Sequence, residues 1–123
     1  MQAIDREELK NMLDKGQKLI LVNVSCEEDF EDERIPGSKH VYFNDDDEDF
    51  VSQISNLAKS RDDLIIVYCR GMKWPPSVLA TIALEKAGYR NVMAYEGGIR
   101  DWKKAPYPIE GENAESHTTS TQI

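Results

Sequence analysis

Apolar and polar positions along this chain switch between a helical and a near-continuous pattern, and the switches predict its elements. Leu9, Met12 and Leu13 lie at helical spacing. Asp5 and Glu8 ahead of them have the spacing of a capping box, Ile4 and Leu9 form a hydrophobic staple, and Gly16 ends the helix. Leu19 to Val24 is an apolar run of the kind buried on both faces of a parallel sheet. Cys26 to Asp32 reads as a short acidic helix, Ile35-Pro36-Gly37-Ser38 as a turn and His40-Val41-Tyr42-Phe43 as a short strand. After the acidic cluster Asp45 to Asp49, whose charges suit a helix start, Phe50, Ile54, Leu57 and Ala58 resume helical spacing. Leu64 to Tyr68 is a second apolar run. Leu79, Ile82, Ala83 and Lys86 belong to a helix that begins near Pro75 or Pro76 and stops at Gly88. Asn91 to Tyr95 reads as a further strand, Glu96-Gly97-Gly98 as a turn, and Ile99 and Trp102 lie on a short last helix, with Trp102 as a core anchor.

Strands alternating with helices predict an α/β domain, with a central, mostly parallel sheet covered by helices on both faces. Ligands in such folds bind beyond the carboxyl ends of the strands. From Ala105 onward the composition shifts to Pro, Glu, Ser, Thr and Asn, which bury little apolar area. The domain is therefore assigned to residues 1–104 and a flexible tail, which holds His117, to residues 105–123.

With 123 residues, 40% of them hydrophobic, the chain is long enough for one domain with a core and too short for two. A formal net charge of −8 argues against nucleic acid or an anionic membrane surface as the main partner. No apolar stretch approaches a membrane span, and Met1 to Asp5 lack a signal-peptide pattern, so a cytoplasmic location is expected. The two cysteines, Cys26 and Cys69, make no disulfide framework. They form no ligand spacing with His40 or His117 either, so no metal and no cofactor is expected.

Cys69 is the main candidate for chemistry. It ends the Leu64 to Tyr68 run and opens the loop Arg70-Gly71-Met72-Lys73-Trp74 before the next helix, whose N–H groups and positive dipole end would turn back toward the sulfur. A thiol so placed is a candidate nucleophile, and Arg70 and Lys73 can attract a small anionic ligand. Cys26 follows the first apolar run at the same expected edge, where it could serve as a resolving thiol.

Four motifs in order make Asp5 to Trp102 resemble a single rhodanese domain, the sulfurtransferase fold. They are Leu21-Val22-Asn23-Val24 followed by Glu27-Glu28-Asp29-Phe30, then Ile35-Pro36-Gly37-Ser38, then Tyr68-Cys69-Arg70, and last Gly88-Tyr89-Arg90-Asn91-Val92 through Glu96-Gly97-Gly98-Ile99-Arg100-Asp101-Trp102. The resemblance implies a sulfurtransferase in which Cys69 takes a sulfane sulfur from thiosulfate or a persulfide and passes it to a thiol or cyanide. It also implies that the backbone N–H groups of Arg70, Gly71, Met72, Lys73 and Trp74 cradle the sulfur, with Arg70 and Lys73 attracting the donor. Its partners would be a small anionic sulfur donor and a thiol acceptor. The alternative is a non-catalytic member that carries sulfur or regulates a partner.

Several positions depart from that family's pattern. Asn23 and Ser25 stand where Asp and Arg are usual, and Arg34 stands where a His commonly precedes Ile-Pro-Gly. The loop resembles a longer Cys-x-Gly-x-x-Cys-x-x-Ser form through Cys69, Gly71 and Ser77, but Trp74 takes the second cysteine's place. Pro75 and Pro76 suit a first helical turn and supply no N–H. Pro75 also occupies the position where phosphatases of related fold carry their phosphate-gripping Arg, which speaks against phosphatase activity.

Overall fold

The computed structural model describes residues 2–70 and 76–112. Their elements, in chain order, are β1 (Gln2–Ala3), α1 (Arg6–Asp14), β2 (Ile20–Asn23), α2 (Glu27–Asp32), β3 (Lys39–His40), α3 (Asp47–Leu57), β4 (Leu64–Tyr68), α4 (Pro76–Lys86), β5 (Asn91–Tyr95) and α5 (Gly98–Lys104). The five strands form one sheet in the order β1-β5-β4-β2-β3, and every pairing is parallel.

Local chemistry accounts for the element starts. Asp5 caps α1 by accepting the Glu8 N–H at 2.8 Å, and the Glu8 carboxylate returns to the Asp5 N–H, completing the box. Asp46 caps α3 through the Asp49 N–H at 3.1 Å, with Asp47, Glu48 and Asp49 in the first turn.

The central strands bury both faces. Leu21, Ile66, Tyr68 and Tyr95 point to one side, where Leu9 of α1 and Ile99 and Trp102 of α5 cover them. Val22, Val24, Ile65, Val67, Cys69 and Ala94 point to the other, under Phe50 and Ile54 of α3 and Ala80 and Leu84 of α4. This alternation follows from the two-residue period of a strand. Trp102 is fully buried as expected, removing about 150–250 Å² from water.

Three elements differ from the sequence reading. The strand expected at His40 to Phe43 is instead Lys39–His40, pairing with Val22 and Asn23. Past His40 the chain still donates from Val41 to the Asn23 carbonyl and from Phe43 to the Val24 carbonyl, but β2 has already ended. Strand β1 gives no sequence signal, since both its residues are exposed and only its pairing with β5 makes it extended.

The third difference moves the domain's edge, because residues 105–112 are packed against it. The Tyr107 N–H bonds the Trp102 carbonyl, the Trp102 indole N–H donates to the Pro108 carbonyl at 2.8 Å, and Arg34 and Glu110 exchange backbone hydrogen bonds at 2.8 and 2.9 Å. Tyr107 and Ile109 add apolar area to the α1/α5 side. Gly111, with φ of +125°, passes so close to the Asp32 carbonyl that a Cβ would sit 2.5 Å from its oxygen. The polar composition beyond this strap hid it. Residues 113–123, including His117, lie outside the described residues.

Candidate functional site

The site grows from the carboxyl end of β4, the middle strand of the sheet. Cys69 follows that strand directly and is 2% exposed. Its backbone is fixed by α5. The chain enters that helix through Gly98, whose φ of +65° glycine adopts without strain, and the Ile99 N–H then donates to the Cys69 carbonyl at 3.0 Å. The Arg100 N–H donates to the Arg70 carbonyl at 3.2 Å. Cys69 packs with Val24, Ala80 and Ala83, on the side of the sheet that α4 covers.

Arg70 is already engaged. Its Nη1 donates to Asp29 Oδ1 at 2.8 Å, joining the residue after Cys69 to α2. The two side chains are 41% and 28% exposed, so the pair is worth at most about 1 kcal/mol, yet it offsets the positive charge that the sequence offered to an anion. The other loop positions singled out from sequence, Gly71, Met72, Lys73 and Trp74, and Pro75 after them, lie outside the described residues.

Beneath Cys69, on the opposite face, a polar row crosses four strands in register: His40, Asn23, Tyr68 and Tyr95. The Tyr68 hydroxyl accepts from the Ile35 N–H at 3.0 Å, lies 2.9 Å from Ser38 Oγ and also meets the Asn23 side chain. Burial raises its pKa above the ordinary tyrosine value, and these hydrogen bonds offset part of that rise. The Tyr95 hydroxyl donates to Asp101 Oδ2 at 2.6 Å; burial first, then this bond and the Asp101 charge, push its pKa well up. Asp101 Oδ1 in turn accepts from Arg6 at 3.3 Å, so α1 and α5 are tied behind the site. Sequence reading missed this row, because register across strands is not written in any one strand.

The positions that depart from the resemblance have definite roles. Asn23 Oδ1 accepts the Ser25 N–H at 2.8 Å, turning the chain as β2 ends. The Ser25 carbonyl accepts from His40 Nε2 at 2.7 Å, and the His40 ring stacks on Phe30 with centroids 4.6 Å apart. Arg34 lies over the same Phe30 ring, 4.8 Å from its centroid, and donates to the Phe30 carbonyl and to Glu110. It therefore holds the strap. Ser25 Oγ and Ser77 Oγ are buried with no hydrogen-bond partner among the described residues. Ser77 occupies the first turn of α4, on the same buried stripe as Ala80, Thr81 and Leu84.

Cys26 takes the N-cap position of α2, half-buried, with no capping bond from its side chain. Both thiols are free. The register pairs Asn23 with Tyr68, so Cys26 stands two residues farther along the edge than Cys69. Among the described residues no group of three or more His, Cys, Asp or Glu side chains could hold a metal ion, and no helix is long and apolar enough to cross a membrane.

An all-parallel α/β sheet with a cysteine at the end of its central strand defines the class, and comparison with known proteins defines the family. The model of the rhodanese-like domain matches residues 5–105, so the chain belongs to the rhodanese-like domain family. Its sequence is 29% identical over 108 residues to the "Probable adenylyltransferase/sulfurtransferase MoeZ" of Mycobacterium tuberculosis, covering 86% of this chain and 26% of that protein. It is 26% identical over 99 residues to the "Putative sulfur carrier protein YrkF" of Bacillus subtilis, covering 80% of this chain and 49% of that one. The chain thus spans between about a quarter and a half of these relatives. The solution structure of the rhodanese-like domain from the Anabaena sp. Alr3790 protein superimposes with a TM-score of 0.76 at 26% identity, over 94% of this chain and 83% of that one.

Proposed function

We propose that the protein is a sulfurtransferase that carries a sulfane sulfur as a persulfide on Cys69. The observation that carries this reading is the placement of Cys69: at the end of the central strand, with its carbonyl clamped by α5 and its side chain on the α4 side, in a domain of the rhodanese-like family. The Cys69 thiolate attacks the outer sulfur of thiosulfate. A new S–S bond forms, the old one breaks, and sulfite leaves with the electron pair. A thiol acceptor or cyanide then attacks the terminal sulfur and Cys69 departs as thiolate, which restores the starting state. We assign the binding of the anion in both states to the loop sequence that follows Cys69, and the attraction of the donor to Lys73. No cofactor takes part.

A second reading has its own support. Arg70 is paired with Asp29, and Asn23, Ser25 and Arg34 serve local structure, which favours a sulfur carrier or regulatory module that does not turn over free thiosulfate. Intact-protein mass after thiosulfate treatment separates the two. Addition of one sulfur that cyanide removes and that Cys69→Ser abolishes supports transfer; no adduct from thiosulfate or from an organic persulfide sinks it.

A further inference from the structure

Helix α4 has two apolar faces, and only one of them is covered. Ser77, Ala80, Thr81 and Leu84 are buried against the sheet. Ala83 is buried with them, whereas Leu79 and Ile82, followed by Lys86, fall at the spacing of a second stripe, with Leu79 53% and Ile82 41% exposed. These are two of only three large apolar side chains so exposed among the described residues. The stripe runs into a shallow groove of about 440 Å³ between α3 and α4, whose walls are Val51, Ser52, Ala83 and Ala87 with Asp47, Glu48 and Lys86. Asp45 to Asp49 are all exposed along the α3 side, and Asp47 and Glu48 make no ion pair among the described residues. An apolar floor with an acidic rim suits a segment that carries apolar side chains flanked by Lys or Arg. A second copy of this chain is the poorer occupant, since it brings the same acidic groove and a net charge of −8.

We propose that this groove docks a basic, amphipathic helical segment of the protein that exchanges sulfur with Cys69. That partner's role rests on the transfer reading above, whereas the surface itself does not. The location favours the pairing: α4 begins where the Cys69 loop ends, and Leu79 lies one turn from Pro76.

The test uses the full chain carrying Cys69→Ser, so that docking is read without sulfur chemistry. The probes are two synthetic helical peptides with the same leucine stripe, one with Lys and Arg on its polar face and one with Glu. The basic peptide is expected to shift the amide resonances of Val51, Leu79, Ile82 and Lys86, with affinity that falls as salt rises. Leu79→Ser with Ile82→Ser should weaken it about tenfold, and Asp47→Asn with Glu48→Gln should remove most of the salt dependence. Equal binding of the acidic peptide, or shifts confined to other surfaces, overturns the proposal. So does a dimer of the unmodified chain that Leu79→Ser and Ile82→Ser dissolve, because the groove's occupant is then a second copy. Persulfide formation is read separately on the unmodified chain: no docking while its Cys69 takes up sulfur refutes the surface alone, and docking while its Cys69 takes up none from thiosulfate or an organic persulfide refutes the transfer reading alone.

Discussion

Arg70 and Asp29, 41 positions apart, meet at 2.8 Å and join the residue after Cys69 to the middle of α2. Removing the carboxylate frees the positive charge of the residue that follows Cys69. Asp29→Asn is expected to cost at most about 1 kcal/mol of stability. It should raise the rate of Cys69 alkylation by anionic iodoacetate, relative to neutral iodoacetamide, about threefold at low salt. The ratio of the two rates at low and high ionic strength is the measurement, and an unchanged ratio would mean that Arg70 does not act on the thiol's surroundings.

Tyr68 and Tyr95 should make the fold sensitive to alkali. Both have folded-state pKa values raised above the unfolded value, which is about 10, so the folded form keeps its protons longer than the unfolded form. The stability linked to them is fully present below that pH and is lost as pH rises past it. Urea midpoints measured from pH 8 to pH 11 should therefore fall, and fall less steeply in Tyr68→Phe. That variant should also lose about 1–3 kcal/mol at pH 8, because the buried Ile35 N–H loses its acceptor.

Asn23 is 2% exposed, and its uncharged amide suits that burial. Restoring the acid usual in the family, Asn23→Asp, keeps an acceptor for the Ser25 N–H but buries a charge near Tyr68. A loss of roughly 1–3 kcal/mol at pH 8 is expected. Since burial raises the new carboxyl's pKa, the loss should shrink as pH falls toward 5. Urea unfolding of both chains at the two pH values decides it; a variant as stable as its parent at pH 8 would show that the site already tolerates charge.

Ending the chain at Lys104 should do more than trim an end. It removes the acceptor of the Trp102 indole, the backbone partners of Arg34 and the apolar cover from Tyr107 and Ile109. The expected cost is about 3 kcal/mol or more in denaturant unfolding. A shortened chain with unchanged stability would return the domain's edge to residue 104.

The features legible in the sequence are those that one segment encodes by itself. Runs such as Leu19 to Val24 and Leu64 to Tyr68 announce strands because every position from Leu21 and from Ile65 onward is buried, and Asp5 with Glu8 announces α1 because its cap is local. The Cys69 position was legible for the same reason. Features that need a distant partner were not. Gln2 and Ala3 are extended only because β5 lies beside them. Tyr107 and Ile109 look like part of a polar tail until Trp102 and Arg34 are seen to receive it. Asp29 carries nothing in its own neighbourhood to mark it as the partner of Arg70, and the row from His40 to Tyr95 exists only once four strands share a register.

The two hydrogen bonds from α5 to the carbonyls of Cys69 and Arg70 also have an electronic consequence. A peptide group whose oxygen accepts a hydrogen bond is polarised, and its own N–H becomes a stronger donor. The peptide units that leave Cys69 and Arg70 carry the N–H groups of Arg70 and Gly71, the first two amides of the loop to which binding of the anion is assigned. Helix α5 thus reaches the backbone donors that follow Cys69 without a side chain of its own, and a substitution that shifts its first turn by a fraction of an ångström is expected to weaken them.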